Sequence, residues 1–104
     1  MSGISTHVLD TAQGRPAAGI AVTLEYKEDR WESAGQGVTD ANGRIARLLP
    51  EGEPIRGGLY RILFQTNGAF FPEVVIQFRI DDPSSHYHVP LLLSPYGYTT
   101  YRGS

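Results

Sequence analysis

The sequence predicts an all-β fold, a sandwich of two sheets built from about eight short strands. Three observations predict it. Apolar residues recur with period two in separate runs along the chain. Turn-forming residues stand between those runs. No segment carries an apolar stripe at helical spacing over a helix's usual length. The 104 residues are expected to form a single domain, 1–104, without linker, internal repeat or low-complexity stretch.

The first strand runs from about Ile4 to Asp10. Ile4, Thr6 and Val8 share one face, and Ser5, His7 and Leu9 share the other. Gln13-Gly14-Arg15-Pro16 then breaks the chain. Ile20, Val22, Leu24 and Tyr26 alternate with polar or small residues and define the next strand. Asn42-Gly43 is the strongest hairpin signal, because a type I′ turn needs positive φ at both central positions. Arg44 follows it and would open the return strand of that hairpin.

Gly57-Gly58 breaks the chain again before Tyr60, Ile62 and Phe64. Thr66-Asn67-Gly68-Ala69 runs almost directly into Phe70-Phe71-Pro72-Glu73. Val74, Ile76, Phe78 and Ile80 make a further alternating run, closed by the turn Asp81-Asp82-Pro83-Ser84-Ser85. Tyr87, Val89, Leu91 and Leu93 read as a core face, so His86, His88 and Leu92 point the other way. The end of the chain, Tyr96 to Ser104, is aromatic and β-branched where chain ends are usually loose and polar. It reads as a strand up to the last residue, which would hold the Ser104 carboxylate in a fixed place. An ordinary edge strand is the plainer reading of the same tail.

Composition narrows the function. The net charge of −2 supplies no surplus of cations to neutralise phosphates, which argues against a nucleic-acid partner. There are no cysteines, so disulfides and thiolate metal sites are excluded. No apolar run approaches the ~20 residues of a membrane span. Met1-Ser2-Gly3 leads at once into strand-like sequence, so no secretory signal is expected, and Arg102-Gly103-Ser104 differs from the S-K-L peroxisomal address. The cytoplasm is the expected compartment. A chain this short gains from oligomerisation, since it buries a modest share of its surface alone.

Three residue groups invite chemistry. His7 lies off the core face, where a solvated surface histidine would also lie. His86 and His88 stand two apart on one strand face, a spacing that can chelate a metal, although no carboxylate is placed near them. Arg44, at a strand start, is either a surface cation or a clamp for an anion or carbonyl, because its planar fork donates in two directions.

The segments that tie these groups together are Thr6-His7-Val8-Leu9-Asp10, Asp40-Ala41-Asn42-Gly43-Arg44-Ile45, and His86-Tyr87-His88-Val89-Pro90 leading into Leu91-Leu92-Leu93-Ser94-Pro95-Tyr96-Gly97-Tyr98-Thr99-Thr100-Tyr101-Arg102-Gly103-Ser104. Together they resemble the 5-hydroxyisourate hydrolases, the transthyretin-related enzymes of urate breakdown, over essentially the whole chain. The resemblance implies a transthyretin-like β-sandwich and a homotetramer, a dimer of dimers with an internal channel. It implies a catalytic group of His7, Arg44 and His88. Tyr101, Arg102, Gly103 and Ser104 would line the substrate site. No metal or organic cofactor is implied. The family's short helix before Phe70-Phe71-Pro72-Glu73 is expected to be reduced or absent here.

The reaction implied is hydrolysis of 5-hydroxyisourate to 2-oxo-4-hydroxy-4-carboxy-5-ureidoimidazoline. His7 or His88 would deprotonate the water, and Arg44 would stabilise the oxyanion or keep the partner histidine neutral. A non-catalytic carrier of a small aromatic ligand is the alternative on the same sandwich. A zinc-dependent hydrolase is a third possibility.

Overall fold

A computed structural model describes residues 3–103. Nine strands are present among them: β1 (Gly3–Asp10), β2 (Arg15–Pro16), β3 (Ala21–Lys27), β4 (Trp31–Val38), β5 (Arg44–Ile45), β6 (Gly58–Gln65), β7 (Val74–Ile80), β8 (His86–Ser94) and β9 (Gly97–Thr100). They form two sheets. One has the order β2-β1-β8-β9, with β5 also pairing with β1, and the other the order β4-β3-β6-β7. All pairs are antiparallel except β1 with β8, which run parallel from Gly3↔His86 to Asp10↔Leu93.

The period-two runs fill the space between the sheets. Ile4, Val8, Tyr87, Val89 and Leu91 come from the first sheet. Val22, Leu24, Tyr60, Ile62, Phe64, Val74, Ile76 and Ile80 come from the second. Thr6 is buried with them and donates its hydroxyl to the Val89 carbonyl at 2.6 Å, so its polarity is satisfied. Ile45, Leu48 and Leu49 also join the core. Ile45 comes from the short β5, and Leu48 and Leu49 from the segment after it, which carries no strand period. The mixed sequence of β4 hides it as a strand. It lies at a sheet edge, where Trp31 packs under the Arg61 guanidinium at 4.4 Å.

The hairpin expected at Asn42-Gly43 is corrected in two respects. The turn after Asp40 is not a type I′ hairpin. Gly43 has φ 76°, and Asn42 is absent from the positive-φ residues. The Gly43 N–H bonds the Asp40 carbonyl at 2.9 Å, which closes a four-residue turn with only its last residue left-handed. The strand it starts does not return to β4 but crosses to pair with β1 in the other sheet. As expected, the loop between β6 and β7 contains no helix; it is a tight turn. Asn67, at φ 55°, bonds Pro72 and Gly68 bonds Phe71.

The tail is also not one continuous strand. β9 ends at Thr100 opposite Leu91, and pairing resumes only at His88↔Gly103, in the same register. Pro90 lies in the gap and has no N–H to give, and its carbonyl accepts from the Thr100 hydroxyl at 2.8 Å instead. Ser104, whose carboxylate was expected to be fixed, lies outside the described residues. No helix among the described residues is long and apolar enough to cross a membrane.

Candidate active site

The outward face of the β1–β8–β5 region gathers the residues singled out in the sequence. Alternation along β1 buries Ile4, Thr6 and Val8 and turns His7 outward. The turn at Gly43 docks directly on β1, where the Val8 N–H donates to the Gly43 carbonyl at 2.7 Å. A Cβ at position 43 would collide with the Val8 carbonyl oxygen, so this approach requires glycine as much as the positive φ does. The docking sets Arg44 directly opposite His7.

The turn is tied internally. The Asp40 carboxylate accepts from the backbone N–H of Asn42 at 2.8 Å and of Arg44 at 3.0 Å. These two bonds, that from Arg44 first, hold its pKa below the usual carboxylate value. The Asn42 carbonyl accepts from His7 Nε2 at 2.9 Å. A carbonyl can only accept, so His7 carries a proton on Nε2, and its lone pair when neutral is on Nδ1. The ion pairs among the described residues are Arg56–Glu28 and Arg61–Glu25, so the Arg44 guanidinium is not committed to a described carboxylate.

His88 stands on β8 opposite Ser5. Its Nδ1 is 2.8 Å from the Ser5 hydroxyl, which is also 2.8 Å from His86 Nε2. Burial pushes the His88 pKa below its ordinary value, and the neighbouring imidazoles of His7 and His86 and the Arg44 guanidinium push it the same way. At neutral pH His88 is therefore an uncharged imidazole, able to accept a proton. Ser5, Arg44, Ala46, His86 and His88 line a surface depression of about 330 Å³. His7 stands at its flank, beside Arg44.

The tail divides between two places. Gly103 is bound to β8 beside His88, its N–H donating to the His88 carbonyl at 2.8 Å. The Arg102 guanidinium lies over the Tyr87 ring at 4.3 Å, on the core side of β8. Tyr101, 55% exposed, and Arg102 line a different depression, with Asp82, Ser85 and Tyr87. Within one chain the structure thus brings Arg44, His88 and Gly103 together with His7 beside Arg44, and sets the Arg102 guanidinium on the other side of β8. Ser5 was not singled out beforehand. Its place on the His7 face was legible, but its contact with both β8 histidines depends on the parallel register of β1 and β8, which strand patterns do not report.

Fold and site together define a class: a two-sheet β-sandwich with a histidine–arginine centre on the outer face of one sheet, suited to activating water and stabilising an oxyanion. The model of the HIUase/Transthyretin family matches residues 4–103, and the chain belongs to that family. It is 46% identical over 110 residues to the 5-hydroxyisourate hydrolase of Salmonella typhimurium, covering 97% of this chain and 80% of that one. The structure of Klebsiella pneumoniae 5-hydroxyisourate hydrolase superposes with a TM-score of 0.85 at 35% identity, covering 100% of both chains. Transthyretin from Sparus aurata superposes with a TM-score of 0.86 at 32% identity, over 99% of this chain and 97% of that one.

Proposed function

We propose that this chain is a 5-hydroxyisourate hydrolase acting in urate breakdown, with His7, Arg44 and His88 as its catalytic group. The observation that carries the reading is the outward face on which an uncharged imidazole, His88, lies near an uncommitted guanidinium, Arg44, and a second histidine, His7. The similarity to named hydrolases over almost the whole chain supports the substrate.

In the proposed reaction a water oxygen bonds to a ring carbonyl carbon of 5-hydroxyisourate. A histidine takes the water proton, and Arg44 stabilises the negative carbonyl oxygen. Collapse of that intermediate breaks the ring C–N bond. The nitrogen takes up a proton from the protonated histidine, and the former carbonyl carbon stays in the opened molecule as the carboxylate of 2-oxo-4-hydroxy-4-carboxy-5-ureidoimidazoline. The tail residues Tyr101, Arg102, Gly103 and Ser104 are proposed to bind substrate, and the Gly103–His88 bridge supports a role next to the base. A homotetramer is proposed with this function. Exposed Tyr101, Tyr98 and Val75 support an association surface, and light scattering after size exclusion tests it. The cytoplasm is the proposed compartment, tested by fractionation.

The deciding experiment generates 5-hydroxyisourate from urate with uricase and follows its decay by ultraviolet absorbance and circular dichroism. Accelerated decay with a single-handed product signal is expected. Decay at the spontaneous rate in the presence of folded protein would overturn the hydrolase and favour a carrier of a small aromatic ligand.

A further inference from the structure

Two imidazoles of β8 converge on one hydroxyl. Ser5 Oγ lies 2.8 Å from His86 Nε2 and 2.8 Å from His88 Nδ1. The parallel register sets Gly3 opposite His86 and Ser5 opposite His88. Glycines make room for both rings. A Cβ on Gly3 would stand 3.1 Å from His86 Nδ1, and one on Gly103 would stand 2.6 Å from His88 Cδ2. With the Gly103 backbone against one edge of the His88 ring and Ser5 at Nδ1, Nε2 is the ring nitrogen that no described residue bonds. Ser5 is only 8% exposed, so water competes poorly for its hydroxyl.

A serine hydroxyl has one proton to donate and can accept two. Its one proton can go to only one of these histidines, so at least one of them must donate its own N–H to Oγ. The two tautomers are therefore coupled through a single proton. When Ser5 donates to His86, His88 carries its proton on Nδ1 and keeps a lone pair on Nε2. When Ser5 donates to His88, the His88 proton sits on Nε2 and no basic nitrogen is left outside the Ser5 bond.

We propose that Ser5 is a positioning residue: it accepts Nδ1–H of His88, donates its own proton to Nε2 of His86, and so holds the His88 Nε2 lone pair ready to take a proton from water. This rests on the hydrolase reading with His88 as base. As Nε2 takes the proton, Nδ1–H stays bonded to Ser5, and that bond strengthens because its donor is now charged. Ser5 thus orients the base in the manner of the third member of a catalytic triad, without carrying charge itself. His86 acts one step further out, as the acceptor that fixes the direction of the Ser5 hydroxyl.

Long-range proton–nitrogen NMR of labelled protein near neutral pH reads the His88 tautomer without substrate. The wild type is expected to show His88 protonated on Nδ1. Ser5→Ala is expected to show a mixture containing the Nε2–H form, and Ser5→Thr, which restores a hydroxyl, to return the wild-type pattern. In the hydrolase assay Ser5→Ala should lower kcat about ten- to a hundredfold with little change in KM, as expected for loss of a bond to a group that becomes charged. Ser5→Thr should recover most of that loss, and it keeps the test available if Ser5→Ala folds poorly. Wild-type His88 protonated on Nε2, or a Ser5→Ala variant with unchanged tautomer and kcat, would overturn the proposal. The NMR result does not depend on turnover. An inactive wild type with His88 protonated on Nδ1 would sink the hydrolase reading while supporting the Ser5 coupling.

Discussion

Gly103 and His88 are joined twice: the Gly103 N–H donates to the His88 carbonyl at 2.8 Å, and the Gly103 Cα faces the His88 ring without an intervening side chain. The tail of the chain thereby forms one wall around the imidazole. A Cβ at position 103 would stand 2.6 Å from Cδ2, closer than real Cβ contacts allow, so a substitution there must move the ring.

Gly103→Ala is accordingly expected to reduce kcat on the order of a hundredfold, the scale of a catalytic group misplaced by about 1 Å. Global stability should change little, because Gly103 is partly exposed and outside the core cluster. Thermal melting beside steady-state kinetics separates the two effects. Equal losses in both would mean that the tail holds the fold rather than the base.

His88→Ala and His7→Ala should each lower turnover about a hundredfold or more, the usual contribution of positioned acid–base groups. Neither ring belongs to the core cluster, so both variants should fold. Near-normal turnover in a folded His88→Ala protein would remove it from the catalytic group.

The pH profile carries a sign. Burial first, and then the nearby His7 and His86 imidazoles and the Arg44 guanidinium, lower the His88 pKa. The basic form therefore persists below the ordinary histidine value of about 6.5, and the acid limb of kcat/KM, where the rate falls, should lie below that pH. Arg44→Gln removes one of the repelling charges, so the limb should move to higher pH while the plateau falls. The same shift links to folding. Stability from the neutral, half-buried His88 is present above about 6.5 and is lost as pH falls through the lowered value. His88→Gln should flatten that part of the melting-temperature profile. An acid limb above 6.5 in the wild type would show that another group controls the rate.

Gly43→Ala should destabilise the protein by more than about 1 kcal/mol, because the position has positive φ and no room for a side chain. It should also reduce activity beyond what stability explains, since this turn sets Arg44 opposite His7. Chemical denaturation with kinetics at low temperature distinguishes the two losses.

Chelation offers a further check. Among the described residues, no three His, Cys, Asp or Glu side chains are grouped so as to hold a metal ion. Prolonged dialysis against EDTA should leave kcat unchanged. A loss restored by zinc would revive the metal-dependent reading.

Much of this molecule was legible in its sequence. Period-two alternation assigned Val22, Leu24, Tyr60, Ile62, Phe64, Val89 and Leu91 to the core, and it turned His7 and His88 outward. That works because side-chain direction in a strand is a local property, set by backbone geometry alone. Motif likeness added the family. Local rules gave way where partners come from far along the chain. Asn42-Gly43 reads as a hairpin because a two-residue type I′ turn is the usual use of that pair, yet here the chain leaves one sheet for the other. The tail reads as a continuous strand, but its partner contains Pro90, whose missing N–H interrupts the ladder. Ser5 reads as a bystander until the parallel pairing of β1 with β8 brings it between His86 and His88. The sequence by itself determined which face each strand buries and which residue types are available for chemistry. The tertiary structure decided which of them meet, because register and sheet order are set by packing between segments some eighty residues apart.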